Sequence, residues 1–510
     1  MKHFILAHDL GTTGDKATLF DEGLNLAASA FSGYDTYCPQ PTWAEQNPLD
    51  WWRAVVLATR ALLAQSSAAP GDIAAIAFSG QMMGCLPVDS RGQPLRSCLI
   101  WADQRAVAQT DRLGEAIGEE RLYRITGHRN SPTYGAPKIM WLRDNEPETF
   151  ARTHKFLHAK DYVAYRMTGA FVTDRSDAGG LNLYHLENGE WADEILAAAG
   201  LDPQLLPAIH SSTDVIGELT HQAADELGLE VGTPVVIGAG DGVSATAGAG
   251  AVAEGLAYSY IGSSAWISFA SPRPVYDRGR RIFNWTHMVP GLFSPCGAMQ
   301  AAGGSYQWLR RQVCWSEDRE ASETGGDVYE IMNRRAAESV PGANGLLFLP
   351  YLQGERSPHW NPRARGGFIG LQITHTRADL IRATLEGISM NLRTILEIFL
   401  GAGARIDEMI LIGGGAKGAL WRQILADVFG RPILRPALLD EATSLGAAVA
   451  GGVGVGLLRD FSTARQRMEI VARHTPDPEA QKIYDQIYPI FLASYNALVP
   501  IYDQMSKNIP

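Results

Sequence analysis

An apolar strand, a tight turn of glycine and hydroxyl residues and a second strand stand together at the start of the chain, and the same set returns near its middle. The first set reads FILAHDL, Gly11-Thr12-Thr13-Gly14 and KATLFD, and a turn at Asp21-Glu22-Gly23 leads on into LNLAASA. The second reads AYSYI, Gly262-Ser263-Ser264 and AWISFAS. Short apolar runs joined by turn residues specify a meander of strands. Two such openings divide the chain into halves 1–250 and 251–510, with the boundary near residues 246–256. A length of 510 residues allows two to four domains of about 100–200 residues each.

Buried strands and helices fill in the rest of each half. AAIAFSG from Ala74 and TPVVIGAGDG from Thr233 are short apolar runs edged by small residues, the pattern of strands covered on both faces in a parallel sheet. Residues 100–230 read as mainly helical. In RADLIRATLEGISMNLRTILEIFL, the residues Ile381, Leu385, Ile388, Leu392, Ile395 and Phe399 recur at alternating spacings of four and three, which puts one apolar stripe on a long helix. EMILIGGGAKGALWRQILAD from Glu408 is strand, glycine turn and helix, and the last fifty residues read as helices packed on the second half. Trp51 and Trp52 open an amphipathic helix and belong to the core. The fold class is therefore α/β, as two similar halves with a cleft between them.

Bulk properties narrow the function classes. A net charge of −11 argues against nucleic acid, whose partners show a basic face. The five cysteines are scattered and form no C-x-x-C pair, which predicts reduced thiols in a cytoplasmic protein. The N-terminal apolar run is broken by His8 and Asp9, unlike a signal peptide, and GAAVAGGVGVGLL from Gly446 is too short to span a bilayer.

Four glycine turns follow apolar strands: DLGTTGDK, GAGDG, IGSSAW and IGGGAKG. Such turns let backbone N–H groups point at an anion without a Cβ in the way. The hydroxyls of Thr12, Thr13, Ser263 and Ser264 add donors. No Gly-Lys dipeptide occurs, so a P-loop is excluded, and the protein-kinase motifs are absent too. His154 and His158 share an i, i+4 spacing without an acidic residue of a metalloprotease motif, and they read as a solvated helix face. Asp9 and Asp241 end two strands. Phosphoryl transfer asks for positioning, charge neutralisation and a base; one carboxylate suits the base, and another suits Mg²⁺.

These residues carry a resemblance. The chain is similar to the FGGY family of carbohydrate kinases from Phe4 to about residue 455. One family signature stands intact as GGFIGLQITHTRADLIRATLE from Gly366, and the other as GAPKIMWLRDN, with Gly135 where the family usually has Pro, Ser or Thr. Within the family, PTWAEQNPLDWW, FSGQMMG, KDYVAYRMTG, LPYLQGERSPHWNP and LIGGGAKGALWRQILAD most resemble xylulokinases. The resemblance implies two duplicated actin/hexokinase-like, ribonuclease H-like ATPase domains, with the sugar bound mainly by the first and adenosine by the second. It implies ATP and Mg²⁺ as cofactors and a ketopentose as acceptor, D-xylulose becoming D-xylulose 5-phosphate. Asp9 would help hold Mg-ATP, Asp241 would be the base and a second metal contact, and Gly11-Thr12-Thr13 and Gly262-Ser263-Ser264 would cradle phosphates. Gly414, Gly415 and Ala416 would line the adenosine, and Met82 and Met83 would face the sugar. Trp101, Asp103 and Arg105 are further candidates for the sugar pocket; Lys16 is a candidate for the phosphates or else a surface lysine.

Three departures bear on the acceptor. Where xylulokinases usually read Q-M-H-G this chain has Gln81-Met82-Met83-Gly84; where Asn usually follows the base it has Gly242; and where they read W-N-D it has Trp101-Ala102-Asp103. Each removes a polar group, and an unmatched hydroxyl discriminates strongly. The Asp-Gly pair also occurs in gluconokinase-like members, so gluconate is the rival acceptor. A nucleotide-gated, chaperone-like protein on the same ATPase fold is the alternative from another class. Partners are small molecules, not nucleic acid or membrane, and a homodimer is allowed.

Overall fold

The computed structural model describes residues 3–508. Two mixed sheets, one per half, organise it. The first contains β1 (Phe4–Leu10), β2 (Gly14–Asp21), β3 (Leu26–Gly33), β4 (Ile73–Gly80), β5 (Val215–Glu218) and β6 (Pro234–Gly240), in the order β5-β6-β4-β1-β2-β3. The second contains β7 (Gly255–Ile261), β8 (Ala265–Phe269), β9 (Phe283–Thr286), β10 (Phe293–Met299), β11 (Ile406–Ile412), β12 (Ile433–Pro436) and β13 (Ile470–His474), in the order β9-β10-β8-β7-β11-β12-β13. In each sheet one strand, β1 or β7, pairs antiparallel with its hairpin partner on one side and parallel with a later strand on the other. The duplicated openings of the sequence are thus duplicated sheet cores.

The helices that frame the site are α1 (Pro48–Gln65), α2 (Gly135–Asn145), α3 (Ala159–Thr168), α4 (Arg175–Gly180), α5 (Asp241–Gly248), α6 (Gly303–Gln312), α7 (Arg377–Gly401), α8 (Ala419–Phe429), α9 (Ala442–Gly454) and α10 (Pro478–Asn508). Asn47 caps α1 by accepting from the Leu49 N–H, Pro48 opens the helix, and Trp51 and Trp52 are buried against the first sheet. Thr376 and Asp379 form a capping box that starts α7. All six stripe residues of α7 lie in the core of the second half, and each contributes about 1.5–3 kcal/mol through burial.

Two helices change sides. Ala245 of α5, the helix that ends the first half, and Ala249 and Ala251 just after it pack with Tyr258, Ile410 and Leu434 of the second sheet. In turn α9, from the second half, packs on β4, β1 and β6 of the first sheet. The two helices cross in direct contact: a Cβ on Gly248 would lie 1.9 Å from the Ala442 carbonyl oxygen, and one on Gly446 would lie 2.0 Å from that of Ser244. Only glycine lets the backbones approach that closely.

The tail of the second half differs from the sequence reading. It is not all helix: β13 pairs antiparallel with β12 as an edge strand. IVARH is half-exposed along its length, so its alternation lacks a strong apolar face.

Candidate active site

Asp9 and Asp241 reach one crevice because of strand register. Leu10, Gly80 and Gly240 pair across β1, β4 and β6. Asp9 sits one residue before the end of β1, and Asp241 is the first residue after β6, opening α5. Two strand spacings separate them, about 10 Å. Asp9 Oδ1 accepts from Ser79 Oγ at 2.8 Å, and its Oδ2 accepts from Thr443 Oγ1 at 2.6 Å. Burial raises the Asp9 carboxyl, against the lowering by those two hydroxyls. Asp241 keeps a partly open face, yet lies deep among protein atoms. Burial and then the charge of Asp9 push it up to about 7, while the Gly242 N–H, 2.7 Å away, pulls it down. A carboxylate poised near neutrality is suited to take a proton from a hydroxyl.

The two glycine-hydroxyl turns occupy equivalent places, one joining β1 to β2 and the other β7 to β8. The second borders a cavity of about 490 Å³, within the usual range for a small-molecule site. Gly262 and Ser263 line one wall, Gly414 and Gly415 another, and Tyr306 and Asn333 close it. Gly413 sets the turn at φ +81, and a Cβ there would sit 2.7 Å from the Ile261 carbonyl oxygen. The structure therefore brings a predicted phosphate turn and the predicted adenosine turn to one cavity. Ala416 does not face it: Ala416 is buried, its N–H donates to the Gly413 carbonyl, and its own carbonyl accepts from Arg422.

On the acceptor side, Met82 packs on Gly240, where a Cβ would lie 2.5 Å from the Met82 Cγ. Met83 takes φ +61, and its carbonyl accepts from Lys138 Nζ at 2.9 Å. Trp101 is 39% exposed and donates through Nε1 to Thr12 Oγ1 at 3.0 Å. Around Gly242 an added Cβ would meet nothing within 4 Å, so space adjoins Asp241.

Several predicted residues have other work. Asp103 and Arg105 are turned from the crevice. Their side chains have no solvent exposure; Arg105 binds Asp103 and Glu45, and its guanidinium lies 3.6 Å from the centroid of Trp43. Asp103 also accepts from the Ala44 N–H, so both are engaged within the first half. Lys16 crosses between halves to the Asp440 carbonyl at 2.9 Å and Glu441 at 3.2 Å. His154 and His158 share no helix face. His154 is exposed in a bend, whereas His158 is buried just before α3 and bonds the Asp177 carbonyl.

Comparison with known proteins gives the kinship. Residues 4–248 match the N-terminal domain of the FGGY family of carbohydrate kinases, and residues 257–455 match its C-terminal domain. The chain belongs to that family. A gluconokinase of Bacillus licheniformis is 32% identical to it over 515 residues, covering 99% of this chain and 98% of the relative. A xylulose kinase of Bacillus subtilis (strain 168) is 32% identical over 493 residues, covering 96% of each. The crystal structure of a ligand-bound xylulose kinase from Lactobacillus acidophilus superposes with a TM-score of 0.90 at 27% identity, covering 98% of this chain and 99% of that one. This FGGY kinase is thus an ATP-dependent sugar kinase with the family's α/β fold in two domains. Among its described residues no helix is long and apolar enough to cross a membrane.

Some residues at the site of this FGGY kinase carried no sequence signal. Ser79 and Thr443 hold Asp9 from two different halves. Trp266 Nε1 donates to the Tyr258 hydroxyl at 2.6 Å, and that hydroxyl donates to the Gly242 carbonyl at 3.1 Å, bracing the turn beside Asp241. Arg356 is a half-buried cation whose Nε has no hydrogen-bond partner among the described residues. Burial lowers it, and its charge acts on Tyr134 and Cys296. Those two share a cluster with Met82, Met83 and Val243. It lies in LPYLQGERSPHWNP, which the sequence offered only as part of the resemblance to xylulokinases.

The donor set suits Mg²⁺. No group of three or more His, Cys, Asp or Glu that could cage a metal occurs among the described residues. Mg²⁺ bound with nucleotide needs only one or two carboxylates, because waters and phosphates complete it. Asp9 and Asp241 are two carboxylates raised by burial. The nearby cation Lys16 is already engaged by Glu441.

Proposed function

We propose that Asp241 takes the proton of an acceptor hydroxyl as that oxygen bonds to the γ-phosphorus of ATP. The bond from the γ-phosphorus to the bridging oxygen breaks, ADP departs, and Asp241 later returns its proton to water. The single observation that supports this role is a carboxylate pushed to about 7 with open space beside it, facing the end of β1. Asp9 would hold Mg²⁺, which supplies charge neutralisation at the phosphates, and Asp241 would contact the ion through water, its carboxylate left free for the proton. Gly11, Thr12 and Thr13 would receive phosphate oxygens from one side, and Gly262, Ser263 and Ser264 from the other. Gly414 and Gly415 would line the adenosine.

For the acceptor, the motifs of the sequence favour D-xylulose, giving D-xylulose 5-phosphate. A second reading, D-gluconate, is favoured by Arg356, because a carboxylate would supply the partner its buried Nε lacks. The gluconokinase and the xylulose kinase are equally similar to this chain. ADP release measured with ATP, Mg²⁺ and a panel of pentuloses, hexuloses, polyols and gluconate tests the reading. Turnover with D-xylulose but not gluconate supports the first acceptor, and the converse supports the second. Release that ignores every acceptor defeats the mechanism.

A further inference from the structure

The KDYVAYRMTG segment has no part in the chemistry derived so far, yet its Lys160 and Asp161 join Asp174 and Asp177 in a buried ionisable cluster near the base. Lys160, at the start of α3, places Nζ 2.8 Å from Asp161 Oδ1, 2.8 Å from Asp174 Oδ1 and 3.1 Å from Asp177 Oδ2. None of the four side chains is exposed. The Asp177 contact is ionic in distance but lacks hydrogen-bond geometry, and burial holds that carboxyl well above the ordinary range. Buried ion clusters add little net stability over apolar packing, and their best-attested use is to specify one arrangement.

What this cluster specifies is traced by its outward bonds. Asp174 Oδ2 accepts from the Ser176 hydroxyl at 2.6 Å and from its N–H at 2.7 Å. The Ser176 oxygen accepts the Gly240 N–H at 2.9 Å. Gly240 immediately precedes Asp241 and caps α5. The end of β6 is irregular, with a register shift between Val236 and Ala239 and φ +66 at Gly238, so the ladder alone does not fix its direction. Lys160 also braces the neighbouring strand: a Cβ on Gly80 would stand 3.0 Å from its Cβ.

We propose that Ser176 and Asp174 are positioning residues: Lys160 anchors Asp174, Asp174 orients Ser176, and Ser176 holds the Gly240 amide so that Asp241 enters the crevice in one direction. The inference rests on Asp241 being the base. Small errors of placement are costly in such a site, since about 1 Å can cost on the order of 10²-fold in rate. The relay reaches the turn that carries the base, on which Met82 also packs, and not the cavity beside Gly414. Its loss therefore lowers kcat and leaves nucleotide binding alone.

Steady-state kinetics of Ser176→Ala and Ser176→Thr, with ATP and the best acceptor of the panel, provide the test. Ser176→Ala is expected to lower kcat at least tenfold with the KM for ATP within twofold of wild type. Ser176→Thr, which keeps the hydroxyl, is expected to restore kcat to within threefold. An unchanged kcat in Ser176→Ala overturns the proposal, as does a loss confined to KM or one that Ser176→Thr does not repair. Hydrogen exchange on the wild-type protein is the second measurement, independent of how the variants fold. The Gly240 amide is expected to be protected as well as that of Ile237 within β6, and free exchange overturns the relay. If wild-type protein phosphorylates no acceptor, the kinase mechanism fails instead, and the exchange result still reports on the relay.

Discussion

At the scale of single residues, burial sets the protonation that the chemistry requires. Asp241 is lifted to about 7 by burial and by Asp9, which suits the proposed role of base at neutral pH. Asp241→Asn keeps the shape and removes the basicity; loss of a general base costs about 10²–10⁴-fold. We expect turnover to fall by that factor with ATP affinity retained, as judged by nucleotide titration beside the rate assay. A variant with near-normal rates would take Asp241 out of the role. Glu355 illustrates the same physics away from the reacting atoms. Its carboxyl accepts from the Gln300 N–H at 2.6 Å, the Arg356 N–H at 2.8 Å and Asn391 Nδ2 at 2.9 Å. Burial still dominates and raises it from 4.5 to about 8. The folded state therefore keeps a proton that the unfolded chain loses above pH 4.5. Stability from this group is complete below that pH and drains away as pH rises to about 8. Denaturation of wild type and Glu355→Gln at pH 5 and pH 8.5 should show the wild type losing stability relative to the variant as pH rises. Parallel pH dependence in the two proteins would mean that Glu355 titrates normally.

At the scale of elements, what was legible and what was not separate along one physical line. Strands β1, β2, β7 and β8 and the turns between them are local products of apolar runs and glycine, and the sequence displays them. The stripe on α7 is equally local, and all six of its residues are buried. Partnerships made only when the halves dock have no such signature. Thr443 meets Asp9 across 434 positions of sequence, and nothing near either residue announces the pairing. Asp103 and Arg105 looked like pocket residues because they follow a strand end; Trp43, Trp141 and Glu45 claim them from elsewhere in the first half. The crossing of α5 and α9 belongs to the same class. Its glycines sit in a helix-forming run, and only the contact explains them. In Gly446→Ala, helix propensity gains about 1 kcal/mol, whereas overpacking costs about 1–3 kcal/mol, occasionally more. The new Cβ would stand 2.0 Å from a backbone oxygen that cannot rotate away, so the cost wins. Urea denaturation should show a net loss on the order of 1–2 kcal/mol; a variant as stable as wild type would mean that the helices separate freely.

At the scale of the whole molecule, the crossing decides how two halves can act as one site. Each half supplies one glycine-hydroxyl turn, the first also supplies Asp9 and Asp241, and the second supplies the cavity beside Gly414. The halves touch through exchanged helices close to the two proposed catalytic carboxylates, since α5 begins at Asp241 and α9 delivers Thr443 to Asp9. A pivot placed there would let the outer lobes swing while the carboxylates stay in register. Lys16 with Glu441, and the Arg129 guanidinium over Trp360, are contacts across the same boundary. Closure has a chemical purpose, because water left in the crevice competes with the acceptor for the phosphoryl group. Hypothesis: acceptor and nucleotide together draw the lobes shut, each half needing its own ligand. Small-angle scattering should then show a smaller radius of gyration with both ligands than with either alone. Acceptor-free ATP hydrolysis should stay far below the transfer rate. Full transfer activity with an unchanged scattering profile would mean that the open cleft already excludes water, and that the pivot between α5 and α9 does not move.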